Sequence, residues 1–339
     1  MAEYISSFTT GFGEIIAQKL LFILRGVEII RVYDGLICYK YNGDCDNINK
    51  IVFFNNSYCV IKFFEGNYIS FSKMVSAVVS EKYHYLKTDG TFRIRFSRSN
   101  QFVKVEKQIV SKAEISVIKS TRLKIDRLNP TTELWYIIRD EGFGFYGQLL
   151  KKRTTTEKNL NKGELRPEIA NLMCCCIDYS ENSVILDPFA GFGAIPLQIK
   201  KHFRFRQLIV MDNDMEKVEK LKRVFQCDDS KVQVVCNNAL KQTSIESGSI
   251  DFIVTDPPWG YYDNIPDIYS FYCEMLNEFQ RIVKTGGKVV VLSARKDEFT
   301  KAVSSTSGFL IGGAIHTLVN GKKAAVFILH SSAHVANKE

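Results

Sequence analysis

Ser183-Val-Ile-Leu-Asp-Pro-Phe-Ala-Gly-Phe-Gly193 decides the fold. Ser183-Val-Ile-Leu186 is a short apolar run of the kind a buried parallel strand shows, and Gly191 and Gly193 allow a tight turn into the apolar stretch Ala194 to Ile199. Glycine there permits backbone conformations and a close ligand approach that a side chain would block. The open end of such a strand is where doubly wound sheets bind ligands. A nucleoside cofactor suits that place, although the pattern alone also fits a dinucleotide site or a plain structural turn.

The next apolar run, Gln207-Leu-Ile-Val-Met211, ends at Asp212 about twenty residues beyond the glycine turn. Doubly wound folds place a carboxylate there to accept hydrogen bonds from ribose hydroxyls. Asp214 reads better as the N-cap of a helix from Met215 to Phe225. A third strand, Val232 to Cys236, runs into Asn237-Asn238-Ala239, whose place suits the adenine edge. Ile250 to Thr255 reads as a further buried strand with Asp256-Pro-Pro-Trp259 at its carboxyl end. Two consecutive prolines fix the backbone. Such a turn presents the Asp256 carboxylate and the Pro257 carbonyl as two acceptors for one amino group, and the Trp259 ring as a face for a planar base. The bland alternative is a stiff turn with Trp259 capping the core, and the presence of both motifs, in order, argues against it.

Together the two motifs resemble the class I S-adenosylmethionine-dependent methyltransferases. Within them they resemble the amino-methylating group, whose fourth motif reads Asp/Asn-Pro-Pro-Tyr/Phe/Trp. The resemblance covers residues from about 165 to 332. It implies an α/β, Rossmann-like domain with a mostly parallel seven-stranded sheet and a terminal antiparallel hairpin. The Asn320-Gly321 pair between the apolar runs Ile315 to Val319 and Ala324 to Leu329 is the matching hairpin signal. The resemblance further implies S-adenosylmethionine as cofactor. Asp187, Pro188, Phe189, Ala190, Gly191 and Gly193 would surround its methionine part, with Asp212 and Asn213 at the ribose and Asn238 and Ala239 at the adenine. Asp256, Pro257, Pro258 and Trp259 would hold the target amine. Asn238 stands where the family usually has aspartate. Leu165-Arg-Pro-Glu-Ile-Ala170 resembles a Leu-Arg-Pro-x-x-Ala segment of RNA guanine-N2 methyltransferases, which implies Arg166 and Pro167 near the methionine end.

The basic excess lies in the other half. Residues 1–166 carry 26 Lys and Arg against 17 Asp and Glu, whereas 167–339 carry 19 against 20. A phosphate backbone is the natural partner of such a surface. The same half predicts a strand at Tyr4 to Phe8 and a helix at Gly13 to Leu24. Two strands flank Asp34-Gly35, followed by a helix at Ile48 to Phe54 and a strand at Ser57 to Phe64. This β-α-β-β-α-β order is ferredoxin-like. Beyond it come an alternating strand, Thr91-Phe-Arg-Ile-Arg-Phe96, a helix over Phe102 to Val117, and strands Glu133 to Arg139 and Phe143 to Leu150. These segments resemble the ferredoxin-like plus THUMP (an RNA-binding module) arrangement that precedes the catalytic domain of several tRNA methyltransferases. Expected boundaries are 1–64 (ferredoxin-like), 65–150 (THUMP-like), 151–164 (linker) and 165–335 (methyltransferase). The resemblance implies tRNA as partner, gripped at the acceptor end. Arg93, Arg95, Arg98, Lys104, Lys107, Lys151, Lys152 and Arg153 are the candidate RNA contacts.

The implied reaction is methylation of a guanosine N2 amine in the acceptor stem or nearby. An adenine-N6 enzyme on DNA or RNA, a guanine-N2 enzyme on ribosomal RNA, and a non-catalytic RNA-binding protein remain alternatives. Nine cysteines without paired Cys-x-x-Cys halves point to neither zinc nor a disulfide framework, and to a reducing cytoplasm. No metal site is expected. The start lacks the basic segment of a signal peptide, and no apolar run is long enough for a bilayer. A monomer is the favoured state.

Overall fold

A computed structural model of the chain describes residues 2–66, 68–153, 160–161, 163–225, 230–241, 244–261 and 265–331. The chain divides into two compact units, residues 1–8 with 17–153 and residues 9–16 with 154–339.

The first unit opens with β1 (Ala2–Ser7) and takes in most of α1 (Gly13–Ile23). The hairpin β2 (Glu28–Tyr33) and β3 (Leu36–Tyr41), the short α2 (Asp46–Asn49) and β4 (Asn56–Glu65) follow. These strands pair antiparallel in the order β2-β3-β1-β4, so the β-α-β-β-α-β reading is realised. The helix expected over 48–54 is a single turn at 46–49. Ile51, Phe53 and Phe54 are all buried, which a surface helix with one solvent face would not achieve.

The sheet does not stop at residue 65. β4 pairs with β9 (Phe143–Lys151), which pairs with β8 (Thr132–Ile138), and β8 lies parallel to β5 (Thr91–Arg98). The short β6 (Gln101–Phe102) and β7 (Lys124–Ile125) border β5 and complete nine strands. Helices α3 (Phe71–Val79) and α4 (Lys107–Ser120) bury Met74, Val75, Val78, Ala113 and Val117 with Phe92, Phe96, Leu134, Tyr136 and Tyr146 of the sheet. The helix expected from Phe102 begins only at Lys107. Ser99 and Asn100 adopt left-handed φ of +50° and +64° and fold Gln101–Phe102 back on β5 as a hairpin. Residues 154–159 and 162, half of the expected linker, lie outside the described residues.

The second unit is built on β10 (Val184–Asp187), β11 (Gln207–Asp212), β12 (Val232–Cys236), β13 (Ile250–Thr255), β14 (Val283–Ser293), β15 (Phe309–Val319) and β16 (Lys322–Ser331). Their order is β12-β11-β10-β13-β14-β16-β15. Strands β10 to β14 are parallel and β16 is antiparallel to both neighbours. The expected seven-stranded sheet and its terminal hairpin are thus present, with Asn320 and Gly321 both at positive φ (+51° and +77°), as a two-residue primed turn requires. Helices α5 (Pro167–Cys175), α6 (Ala194–His202), α7 (Met215–Phe225), α8 (Ile268–Ile282) and α9 (Lys296–Ser305) complete the unit. From β10 the chain steps outward through β11 and β12, then returns to add β13 on the other side. That reversal opens a crevice at the carboxyl ends of β10 and β13, where α/β sheets bind ligands.

Candidate active site

A cavity of about 640 Å³ occupies this crevice. Its wall contains Asp187 to Gly191, Asp212, Asn213, Asn238, Ala239 and Asp256 to Trp259, so the sequence-predicted residues of both motifs converge on one space. Gly193, Arg166 and Pro167 are the predicted residues outside the wall. Gly193 shapes it from behind, at φ +88° as the residue before α6, with Leu221 and Phe225 of α7 packed where a side chain would begin. Arg166 and Pro167 open α5, and the neighbouring Gly163, Glu164 and Leu165 reach the cavity instead.

Asp212 pins the glycine loop. Its Oδ2 accepts a hydrogen bond from the Gly191 N–H at 2.8 Å and its Oδ1 accepts from the Asp214 N–H at 3.0 Å. Each carboxylate oxygen has a second lone pair for a ribose hydroxyl. Asp214 caps α7 as read, accepting from the Glu216 N–H at 2.9 Å. Asn238 turns its Oδ1 onto the Leu240 N–H at 2.9 Å, which leaves its amide group as the polar handle at the end of β12.

Asp187 joins the two motifs. Its side chain is buried, and its Oδ1 accepts from the Thr255 hydroxyl at 2.7 Å and the Phe189 N–H at 3.2 Å. Burial pushes its carboxyl up to about 7 against those two donors. Asp256 sits higher still, at about 8, raised first by burial and then by the charge of Asp187. Its Oδ1 is out of reach of solvent with no protein partner. A buried acceptor without a donor costs about 1–3 kcal/mol, so this one is poised for a donor that the fold does not supply.

The Asp-Pro-Pro-Trp turn is held from three sides by residues that its motif did not announce. Tyr272 of α8 donates its hydroxyl to the Pro258 carbonyl at 3.3 Å and meets the Ser293 hydroxyl at 3.0 Å. The Trp259 indole N–H donates to the Leu292 carbonyl of β14 at 3.2 Å, and the Arg295 Nε donates to the Trp259 carbonyl at 3.0 Å. Phe189 and Phe271 meet across the wall with ring centroids 5.9 Å apart. Only the place of Thr255, directly before the motif, was open to sequence reasoning. Tyr272, Ser293 and Arg295 come from downstream elements and gain their roles through the sheet order.

The cavity suits a cationic nucleoside. Two acids, Asp187 and Asp212, flank the glycine loop, Gly191 has open space where a side chain would stand, and the orphaned Asp256 oxygen marks the far end.

The candidate RNA contacts lie on the first unit and differ in how free their charges are. Arg93 is ion-paired to Glu133 at 2.6 Å and donates to the Arg127 and Leu128 carbonyls. Lys151 donates to the Ile51 carbonyl, and Lys152 lies 3.6 Å from Glu133. The Arg153 N–H donates to the Asn56 side chain. Arg95 lies over the Phe102 ring and Arg98 over Phe71, whereas Lys104 and Lys107 are exposed. No described helix is long and apolar enough to cross a membrane.

Residues 155–309 match the family model described as UPF0020, RMKL-like, methyltransferase domain. The chain is 24% identical over 294 residues to the Bos taurus U6 snRNA (guanine-N(2))-methyltransferase THUMPD2, covering 81% of this chain and 58% of that protein. It is 26% identical over 232 residues to the Bos taurus tRNA (guanine(6)-N(2))-methyltransferase THUMP3, covering 61% and 44%. The chain thus spans about half the length of the curated relatives it matches. TrmN from Thermus thermophilus has the same fold, with a TM-score of 0.79 at 17% identity over 98% of this chain and 100% of that one. The second half of the chain is accordingly similar to the methyltransferase domains that this family model describes, and its cofactor is S-adenosylmethionine.

Proposed function

We propose that the protein methylates the exocyclic N2 amine of a guanosine in tRNA, in the acceptor stem or nearby. The observation that carries this reading is the orphaned, buried Asp256 Oδ1 beside the Pro257 carbonyl and the Trp259 ring, in the same cavity as the acids of the glycine loop. Tyr272 engages the Pro258 carbonyl, which makes Pro257 the proline carbonyl for an incoming amine. The guanine and the RNA come from the relatives, whose names give guanine-N2 methylation of tRNA and of U6 snRNA. U6 snRNA is the second reading, because that relative matches the longer stretch of the chain.

Asp187, Gly191, Asp212, Asn213, Asn238 and Ala239 would hold S-adenosylmethionine. When bound, it supplies an electrophilic sulfonium methyl group. The target nucleotide leaves its stack and its base lies against Trp259. Asp256 and the Pro257 carbonyl accept the two N–H bonds of the amine, which directs the nitrogen lone pair at the methyl group. Positioning supplies most of the rate, and Asp256, in its ionised form, receives the proton lost from nitrogen. The basic first unit, read as ferredoxin-like plus THUMP, carries the RNA. Asp256→Ala should lower methyl transfer to bulk tRNA by at least about 100-fold, with binding of S-adenosylmethionine close to wild type. A variant that still turns over would remove Asp256 from this role.

A further inference from the structure

The tip of the β15–β16 hairpin overhangs the amine pocket. Strand β16 runs antiparallel to β14, with Ala325 opposite Ser293, so the turn at Asn320-Gly321 lies beyond the carboxyl end of β14. On the other side of β14, β13 runs parallel to it with Thr255 opposite Val291 and delivers Asp256 to Trp259 at that same end. Val319 and Asn320 accordingly stand in the cavity wall with Pro257, Pro258 and Trp259. Lys322 keeps the tip in place, its Nζ 3.5 Å from the centre of the Tyr261 ring. The backbone of Asn320 is fixed as well, at φ +51° in the primed turn, but its side-chain amide has no partner among the described residues. The other groups around it offer the edge of a base little. Ile265, Phe271 and Val319 are apolar, and the Trp259 N–H is engaged by the Leu292 carbonyl.

An amine pocket by itself does not tell guanine from adenine, because Asp256 and the Pro257 carbonyl accept N–H bonds that both bases carry. The atoms next to the amine differ. Guanine has an N1–H donor and then the O6 acceptor beside N2, and an amide, with a carbonyl and an NH2 group side by side, matches that pair. Adenine has a bare N1 and then C2–H beside N6, which leaves the same amide with a single bond. We propose, on the guanine-N2 reading above, that Asn320 selects the base: its carbonyl accepts from N1–H and its NH2 group donates to O6 while Asp256 and Pro257 hold N2. Asn320 is then a specificity-determining residue of the methyl transfer, supplied by the terminal hairpin of the sheet.

Asparagine also favours the left-handed turn for its own sake, so the variant must keep the turn. Asn320→Gly accepts the same φ and removes only the amide. The guanosine that the wild-type full chain methylates in unmodified tRNA is located by mass spectrometry. A synthetic copy of that tRNA then carries 2-aminopurine at this position, a base that keeps the N2 amine and lacks both N1–H and O6. The ratio kcat/KM is measured for both proteins on both RNAs, with affinity for S-adenosylhomocysteine measured by calorimetry. Wild type should prefer guanine by about 10- to 100-fold, as for one bidentate pair. Asn320→Gly should lose that factor on the guanine RNA, act equally on both RNAs, and bind S-adenosylhomocysteine as wild type does. A residue that only shapes the turn would lower both RNAs alike and leave the preference intact. A variant with the wild-type preference therefore overturns the role of Asn320 and spares the guanine-N2 reading. Formation of N6-methyladenosine by the wild type, or of no methylated nucleoside, overturns both.

Discussion

Asp256 and Asp187 confine two carboxyl groups in one cavity, and their acidities report the conflict. Both are raised, to about 8 and about 7, chiefly by burial. A raised carboxyl pKa favours the protonated form in the folded protein. Its contribution to stability is therefore complete below about pH 4 and is lost as pH climbs to the folded values. The cofactor-free protein should lose thermal stability from pH 5 to pH 8, and Asp256→Asn, which cannot ionise, should flatten that profile. Parallel wild-type and variant profiles of Tm against pH would contradict the shift. Thr255 makes a second case at this scale. Thr255→Val keeps the shape but leaves the buried Asp187 Oδ1 short of a donor. Chemical denaturation should show a loss of about 1–3 kcal/mol. The acids themselves were legible as motif residues, but their coupling through Thr255 depends on the pairing of β10 with β13, which no spacing along the chain reveals.

At the scale of elements, the strand, glycine turn and helix around Gly193 behave as the sequence predicts. At φ +88°, with Leu221 Cδ2 2.9 Å from where a Cβ would stand, Gly193→Ala is strained both in backbone and in space. It should cost about 1–3 kcal/mol and weaken S-adenosylmethionine binding, both readable by calorimetry; an unaffected variant would remove the loop from the cofactor site. The buried strands of the second unit were plain because parallel strands read as continuous apolar runs. Helix α9 was not. Its core face is only Phe299, Ala302 and Val303 in an otherwise polar stretch. Helix α3 shows the helical spacing Phe71, Met74, Val75 and Val78, but it opens the stretch expected to be THUMP-like, where no motif marks it. The hairpin at Ser99-Asn100 escaped because neither residue is glycine, so its left-handed turn carries no strong local signature.

Over the whole molecule, the division of charge between the halves was legible by counting, but which charges remain available was not. Arg93 looked like its neighbours in an alternating strand, yet parallel pairing sets it beside Glu133 and commits it to the fold. Arg98, Lys104 and Lys107 are exposed. Neutralising these three together should weaken tRNA binding and reduce the salt slope of affinity by about two to three, with cofactor binding unchanged. Fluorescence anisotropy with labelled tRNA checks this, and an unchanged slope would move the RNA surface elsewhere. The continuity of one sheet from β2 to β6 was equally hidden, because the link is the β4–β9 pair, whose residues lie far apart along the chain. The central claim is the chemistry of the product. The purified protein is incubated with S-adenosylmethionine and unmodified bulk tRNA, the RNA is digested, and the nucleosides are identified by mass spectrometry. N2-methylguanosine is the expected product. N6-methyladenosine, or no methylated nucleoside at all, would contradict it.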